Sequence, residues 1–167
     1  IDLLDNIDFD WDPLETEWQN NFSQLKDFKK KYGNASPSGS KSGEFSLLGR
    51  WCMRQRKNRK KGILTQEKID LLDSIDFDWD PLETLWLNSF SQLKEFKKQY
   101  GHANPSSKSG EFTLLGSWCV RQRINRKGGI LTQEKIDLLD NIDFDWDPLE
   151  TEWQNNFSQL KDFKKKY

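Results

Sequence analysis

Residues 1–32, IDLLDNIDFDWDPLETEWQNNFSQLKDFKKKY, reappear without a change as residues 136–167. A diverged copy, IDLLDSIDFDWDPLETLWLNSFSQLKEFKKQY, lies between them and begins at Ile69. Ile1 to Ile69 is 68 residues and Ile69 to Ile136 is 67, so two slightly different motifs alternate. Self-similarity at a fixed period identifies the folding unit before any other signal. The chain reads as a window on a tandem array, and repeat units bind or build far more often than they catalyse.

Within one motif the pattern predicts three helices. The first opens at Asp12-Pro13, with Asp as N-cap, Pro at the first helical position and Glu15 at the third. Leu14, Trp18, Phe22, Leu25, Phe28 and Tyr32 follow at spacings of three and four and form one apolar stripe, and Gly33 stops the helix. NASPSGSKSG then reads as an irregular surface loop, one residue shorter in the second motif (HANPSSKSG). The second helix is expected from about Leu47 to Lys61, with Leu48, Trp51, Cys52 and Gln55 on one face. The third opens at Thr65, with Leu64 and Ile69 placed as a hydrophobic staple and Leu71, Leu72 and Ile75 continuing the apolar side. Trp18, Trp51 and Trp79 are expected in the core. The fold class is therefore all-α, a tandem array of small three-helix modules. Residues 1–11 end a preceding motif, 12–79 and 80–146 are two complete motifs, and 147–167 are the first helix of a third.

Composition agrees with small aromatic cores. Only 34% of residues are hydrophobic, but there are eight Trp and eleven Phe, so a few large rings must carry the burial. A unit this short forms a small core that neighbouring copies can buttress. The two cysteines, Cys52 and Cys119, hold equivalent positions in successive motifs. That pattern indicates one buried thiol per motif rather than a disulfide framework, and an intracellular, reducing compartment. No apolar run reaches membrane-spanning length. Ile1 is not a natural start, so an upstream targeting signal stays open.

A Trp-led helix (Trp18, Phe22, Leu25, Phe28), Tyr-Gly-His at 100–102, Leu-Gly-x-Trp-x-x-x-Gln-Arg at 48–56 and 115–123, then Gly-Ile-Leu-Thr and a closing Phe-x-Trp resemble the helicase-associated domain repeat. The resemblance spans the whole chain. It implies a three-helix module found in tandem, beside helicase motors or in arrays without one, and generally supposed to bind nucleic acid. This chain departs from the motor setting, because no GxxxxGK[ST] phosphate loop occurs. ATPase and unwinding activities are therefore not expected. The loop pattern that usually ends in Val-Pro is here Ala-Ser-Pro and Ala-Asn-Pro.

Charge nearly cancels, at net −1, but it is sorted along each motif. Every charged residue from Asp2 to Glu17 is acidic, and every one from Arg50 to Lys61 is basic. A basic helix bearing Arg, Gln and Asn can contact phosphates and base edges. The candidate contacts are Arg50, Arg54, Arg56, Lys57, Arg59 and Lys60, with Arg121, Arg123, Arg126 and Lys127 in the second motif. Arg54, Arg56, Arg59, Arg121, Arg123 and Arg126 are the best placed. The competing reading is a solvated face, or a basic helix that pairs with the acidic segment of a neighbouring motif; near-neutral net charge favours it. Arg50, Met53, Lys57 and Lys61 become Ser117, Val120, Ile124 and Gly128, all within one third of the helix circumference. Variation on one face is how arrays reading one base per repeat behave, although exposed positions drift in any repeat. It also weakens phosphate binding by the second motif. Glu17 and Gln19 become Leu85 and Leu87, which suggests a contact between unlike motifs.

Other signals are weak. Asp8-x-Asp10-x-Asp12 begins like a calcium loop but has Pro13 where glycine is required. His102 is the sole histidine, so no histidine-based catalytic site repeats in each motif. Cys52 and Cys119 lie on the apolar face and suit neither a nucleophile nor a zinc ligand. The expectation is a non-enzymatic array with no cofactor, metal, membrane or small-molecule substrate. Its partners would be nucleic acid, most plausibly duplex DNA, and further copies of the repeat. The alternative is a structural or protein-interaction array (filament, spacer or scaffold) locked by acidic and basic surfaces; the near-perfect duplication of the motif pair suits it.

Overall fold

The structure, a computed structural model, describes residues 10–39 and 43–166. Among them are seven helices and no strand: α1 (Pro13–Tyr32), α2 (Ser46–Lys60), α3 (Gln66–Asp73), α4 (Pro81–Tyr100), α5 (Thr113–Lys127), α6 (Gln133–Asp140) and α7 (Pro148–Lys166). The chain is all-α and divides into two compact units, Ile1–Thr84 and Leu85–Tyr167. Most of the fragment expected at 1–11, Asp8 included, lies outside the described residues.

The helix starts follow from their caps. Asp12 Oδ1 accepts the Glu15 N–H at 3.1 Å, and Asp80 and Asp147 accept the Glu83 and Glu150 N–H groups, each at 3.3 Å. Proline stands at the first helical position of α1, where a missing N–H costs nothing. Gly33, at φ 77°, ends α1 in the left-handed region and donates its N–H to Lys29 O. Thr65 caps α3 through the Lys68 N–H.

The first unit buries Trp18, Phe22 and Leu25 of α1, Leu48, Trp51 and Cys52 of α2, Leu72 of α3, and Ile75 and Phe77 of the segment that follows. Gln55, 2% exposed, stands among them. A buried amide needs partners, and Trp18 Nε1 donates to Gln55 Oε1 at 3.1 Å. The second unit repeats this with Trp86 Nε1 and Gln122 Oε1 at 2.9 Å. The staple residues Leu64 and Ile69 are half-buried.

The apolar stripe of α1 is buried only along its middle: Leu14 is 77% exposed and Tyr32 is exposed too. The cause is length, since α1 has 20 residues while α2 and α3, which cover it, have 15 and 8. Trp79 is half-buried rather than buried. Its ring packs edge-on against Phe77, and its Nε1 donates to Asp73 Oδ1 at 2.6 Å.

The glycine of Leu-Gly-x-Trp has a steric reason. A Cβ on Gly49 would run into the Ser38 backbone, and one on Gly116 into the Ser106 backbone. The loop between the first two helices therefore lies directly on the second. Asp76 and Asp143 take φ of 50° and 51°, a region that Asp tolerates better than most residues. There their carboxylates meet Lys29 and Lys97 at 2.7 and 2.6 Å.

α7 carries the sequence of residues 13–31 but buries no side chain; Trp153, Phe157, Leu160 and Phe163 are exposed. Amphipathicity sets which face can be buried, and packing sets whether it is.

Candidate nucleic-acid interface

α2 and α5 hold the cations that the sequence marks out, and the structure sorts them into two groups. The first group is engaged with the fold. Arg56 Nε donates to Asp78 O at 2.7 Å, and its guanidinium lies 4.7 Å from the centre of the Phe77 ring. Arg123 repeats both contacts, with Asp145 O at 2.8 Å and the Phe144 ring at 4.8 Å. Arg59 stacks over Trp79 at 4.3 Å, and Arg126 over Trp146 at 4.2 Å. A planar guanidinium suits such stacking as an ammonium would not. Arg54 pairs with Glu17 at 2.8 Å, both side chains more than half exposed. The Gln-Arg pair of the motif is therefore architectural: Gln55 satisfies Trp18, and Arg56 clamps the segment that closes the unit.

One asymmetry separates the two clamps. Arg123 Nη2 donates to Asn104 Oδ1 at 3.0 Å. In the first unit Ser36 stands in place of Asn104, and the buried Arg56 Nη2 has no hydrogen-bond partner.

The second group is free. Arg50, Lys57 and Lys60 of α2, Lys61 just beyond it, and Arg121 and Lys127 of α5 are exposed and form no ion pair among the described residues. Arg50, Arg54, Lys57 and Lys61 stand at steps of four, three and four, which places them in one strip on the solvent side of the helix. A shallow cleft lined by Glu17, Asn21, Leu47, Arg50, Trp51 and Arg54 runs alongside. The matching strip of α5 reads Ser117, Arg121, Ile124 and Gly128. Near it, Leu114 is 87% and Leu85 62% exposed. Leu87 is exposed as well.

The acidic stretches before each first helix are occupied locally. Asp78 Oδ1 accepts the Asp80 N–H and Asp145 Oδ1 accepts the Asp147 N–H, each at 3.0 Å, and the next aspartate caps the helix. No group of three His, Cys, Asp or Glu side chains suited to a metal ion occurs among the described residues. Cys52 and Cys119 are free and buried, and burial pushes both thiols up to about 12. They are protonated at neutral pH and act as small apolar groups. Among the described residues no helix is long and apolar enough to cross a membrane.

Sequence reasoning did not distinguish clamping from free arginines. The signal lay in two matched spacings: Arg56 and Arg59 fall one turn apart, and Phe77 and Trp79 alternate beneath them. The family model described as "Helicase associated domain" matches residues 15–80 and again 83–147. No curated protein and no solved structure matches the chain.

Proposed function

The chain belongs to the helicase associated domain family, which it carries twice in tandem, and on that basis we propose that it is a non-enzymatic nucleic-acid-binding array. The contact surface is the solvent face of the second helix in each module, and the ligand is duplex DNA. The observation that carries this reading is the unneutralised charge of those helices. Of their exposed cations only Arg54 forms an ion pair among the described residues. The aspartates before the first helices, Asp78, Asp80, Asp145 and Asp147, are engaged in turns and caps instead. Helix charge left free in this way attracts phosphate through counterion release. One buried, protonated thiol per module fits an intracellular, reducing location.

The test is anisotropy titration of labelled duplex DNA with the whole chain over a range of salt. Affinity is expected to fall steeply as salt rises. Replacing Arg50, Lys57, Lys60, Lys61, Arg121 and Lys127 by Gln removes the free charge and leaves the Arg56 and Arg123 clamps intact. A variant with unchanged helicity that binds as well as the parent sinks the reading.

One observation favours a second reading, a structural or protein-interaction array. Where the first module has the Glu17–Arg54 pair, the second has Leu85 beside Arg121, with Leu114 and Ile124 also exposed. On that reading Leu85 and Leu87 meet a neighbouring module. Leu85→Glu should then broaden the thermal transition of the chain. A melt of unchanged midpoint and width removes the support.

A further inference from the structure

The two module types differ in charge where the proposed ligand would sit. The third helices, α3 and α6, are identical in all eight residues, QEKIDLLD. That identity includes the exposed Gln66, Glu67, Asp70 and Asp73 and their counterparts Gln133, Glu134, Asp137 and Asp140. Free drift of exposed positions would have altered these as readily as any others. Apart from the conservative Ser46 to Thr113, the second helices and their last cap differ at Arg50, Met53, Lys57 and Lys61, all four exposed and all on the solvent side. Three of the four changes delete a positive charge, giving Ser117, Ile124 and Gly128. The first helices also differ, at Glu17, Gln19, Asn21, Asp27 and Lys31, but along the solvent strip of the second helix every change of charge removes a cation.

We propose that phosphate contact is confined to the first module type, whose second helix presents Arg50, Lys57 and Lys61 as a continuous cationic strip, and that the second module type makes no equivalent contact. The inference rests on the nucleic-acid reading above and narrows its contact surface from the second helix of every module to that of the first module type. At a rise of 1.5 Å per residue the strip is about 16 Å long, which equals the axial rise of roughly five base pairs at 3.4 Å each. Arg54 lies within it and remains more than half exposed while paired to Glu17, so a phosphate can compete for it. An exposed pair of this kind is weak. On α5 the strip is broken. Ile124 stands between Arg121 and the glycine that replaces Lys61, and Lys127 lies at the edge of the strip, about 80° round the helix from Ser117. Exposed Leu114, Val120 and Ile124 make that face apolar, which disfavours a charged backbone. The array would then grip DNA once per motif pair, with every second module acting as a spacer between contacts.

The experiment uses charge-matched variants of the whole chain on duplex DNA. Arg50→Gln with Lys57→Gln is compared with Arg121→Gln with Lys127→Gln, each removing two cations. None of the four clamps an aromatic ring. The readout is the slope of log affinity against log salt, to which each phosphate contact on duplex DNA contributes about 0.9. The first pair is expected to lower the slope by about 1.8 and the second to leave it unchanged. The converse variant, Ser117→Arg with Ile124→Lys, should raise it by a similar amount by rebuilding the strip. Equal losses from both pairs, or no gain from the rebuilt strip, overturn the division between module types and leave the nucleic-acid reading standing. Absence of binding by the parent chain at low salt overturns both.

Discussion

Ser36→Asn should stabilise the first unit, and the chain supplies its own control. The loop has the same local geometry in both units. Ser36 N–H donates to Asn34 Oδ1 at 3.0 Å, and Asn104 N–H donates to His102 Nδ1 at 3.2 Å. An Asn at position 36 would thus project as Asn104 does and reach the Arg56 Nη2 that has no partner. A buried donor left unsatisfied costs about 1–3 kcal/mol, and a hydrogen bond to a charged group is worth about 1.5–3 kcal/mol. Asn104 is itself exposed, so water competes and the lower end applies, about 1 kcal/mol. For a unit of this size that corresponds to a rise in Tm of about 4–8 °C. Calorimetry gives the shift, and amide exchange in α1 and α2 assigns it to the first unit. Asn104→Ser should cost the second unit a similar amount. In an Arg56→Lys background the Ser36→Asn gain should vanish, because an ammonium lacks the second fork of the guanidinium. A gain of equal size in that background, or no gain with Arg56 intact, refutes the reasoning.

Other outcomes follow from the same contacts. Gly116→Ala drives a Cβ into the Ser106 backbone and should cost the second unit about 1–3 kcal/mol in urea unfolding; an unchanged midpoint would show that the loop gives way. Lys29 holds the Asp76 carboxyl below its ordinary value, Lys97 does the same for Asp143, and hydrogen bonds from Lys68 and then Gln19 do so for Glu15. A carboxylate depressed on folding stabilises the folded state at neutral pH, and that contribution disappears as pH falls through the folded value. Asp76→Asn with Asp143→Asn, a change the left-handed backbone tolerates, should therefore flatten the acid side of the stability curve. A curve that still falls as steeply would show that these pairs do not couple to folding.

What was legible in the sequence divides along physical lines. Caps, periodicity and the left-handed glycine act over a few residues, so Asp12, Pro13, Gly33 and Thr65 announced the helix ends. The buried faces of α1 and α2 followed from spacing, because Trp18, Phe22, Leu25, Trp51 and Cys52 repeat at helical intervals. How much of the α1 stripe is buried was not legible, because burial depends on how far the covering helices extend, which no local pattern encodes. The closing Phe-x-Trp misled in a related way. Its rings are roofed by arginines from a helix some twenty residues earlier, so Trp79 remains half-open.

The candidate site shows the same limit more sharply. A run of basic residues marks a helix surface but not which charges the fold itself uses. Arg56 and Lys57 are neighbours in sequence and differ by about 100° around the helix. One turns onto Phe77 and Asp78 O; the other faces solvent with no carboxylate partner among the described residues. Charge removal at Arg56 would therefore unseat the closing segment, and a loss of DNA binding in that variant would reflect a damaged fold as much as a lost contact. At Lys57 the helix loses a charge and little else. Only substitutions of this second kind can report on binding, and only the packed structure says which they are.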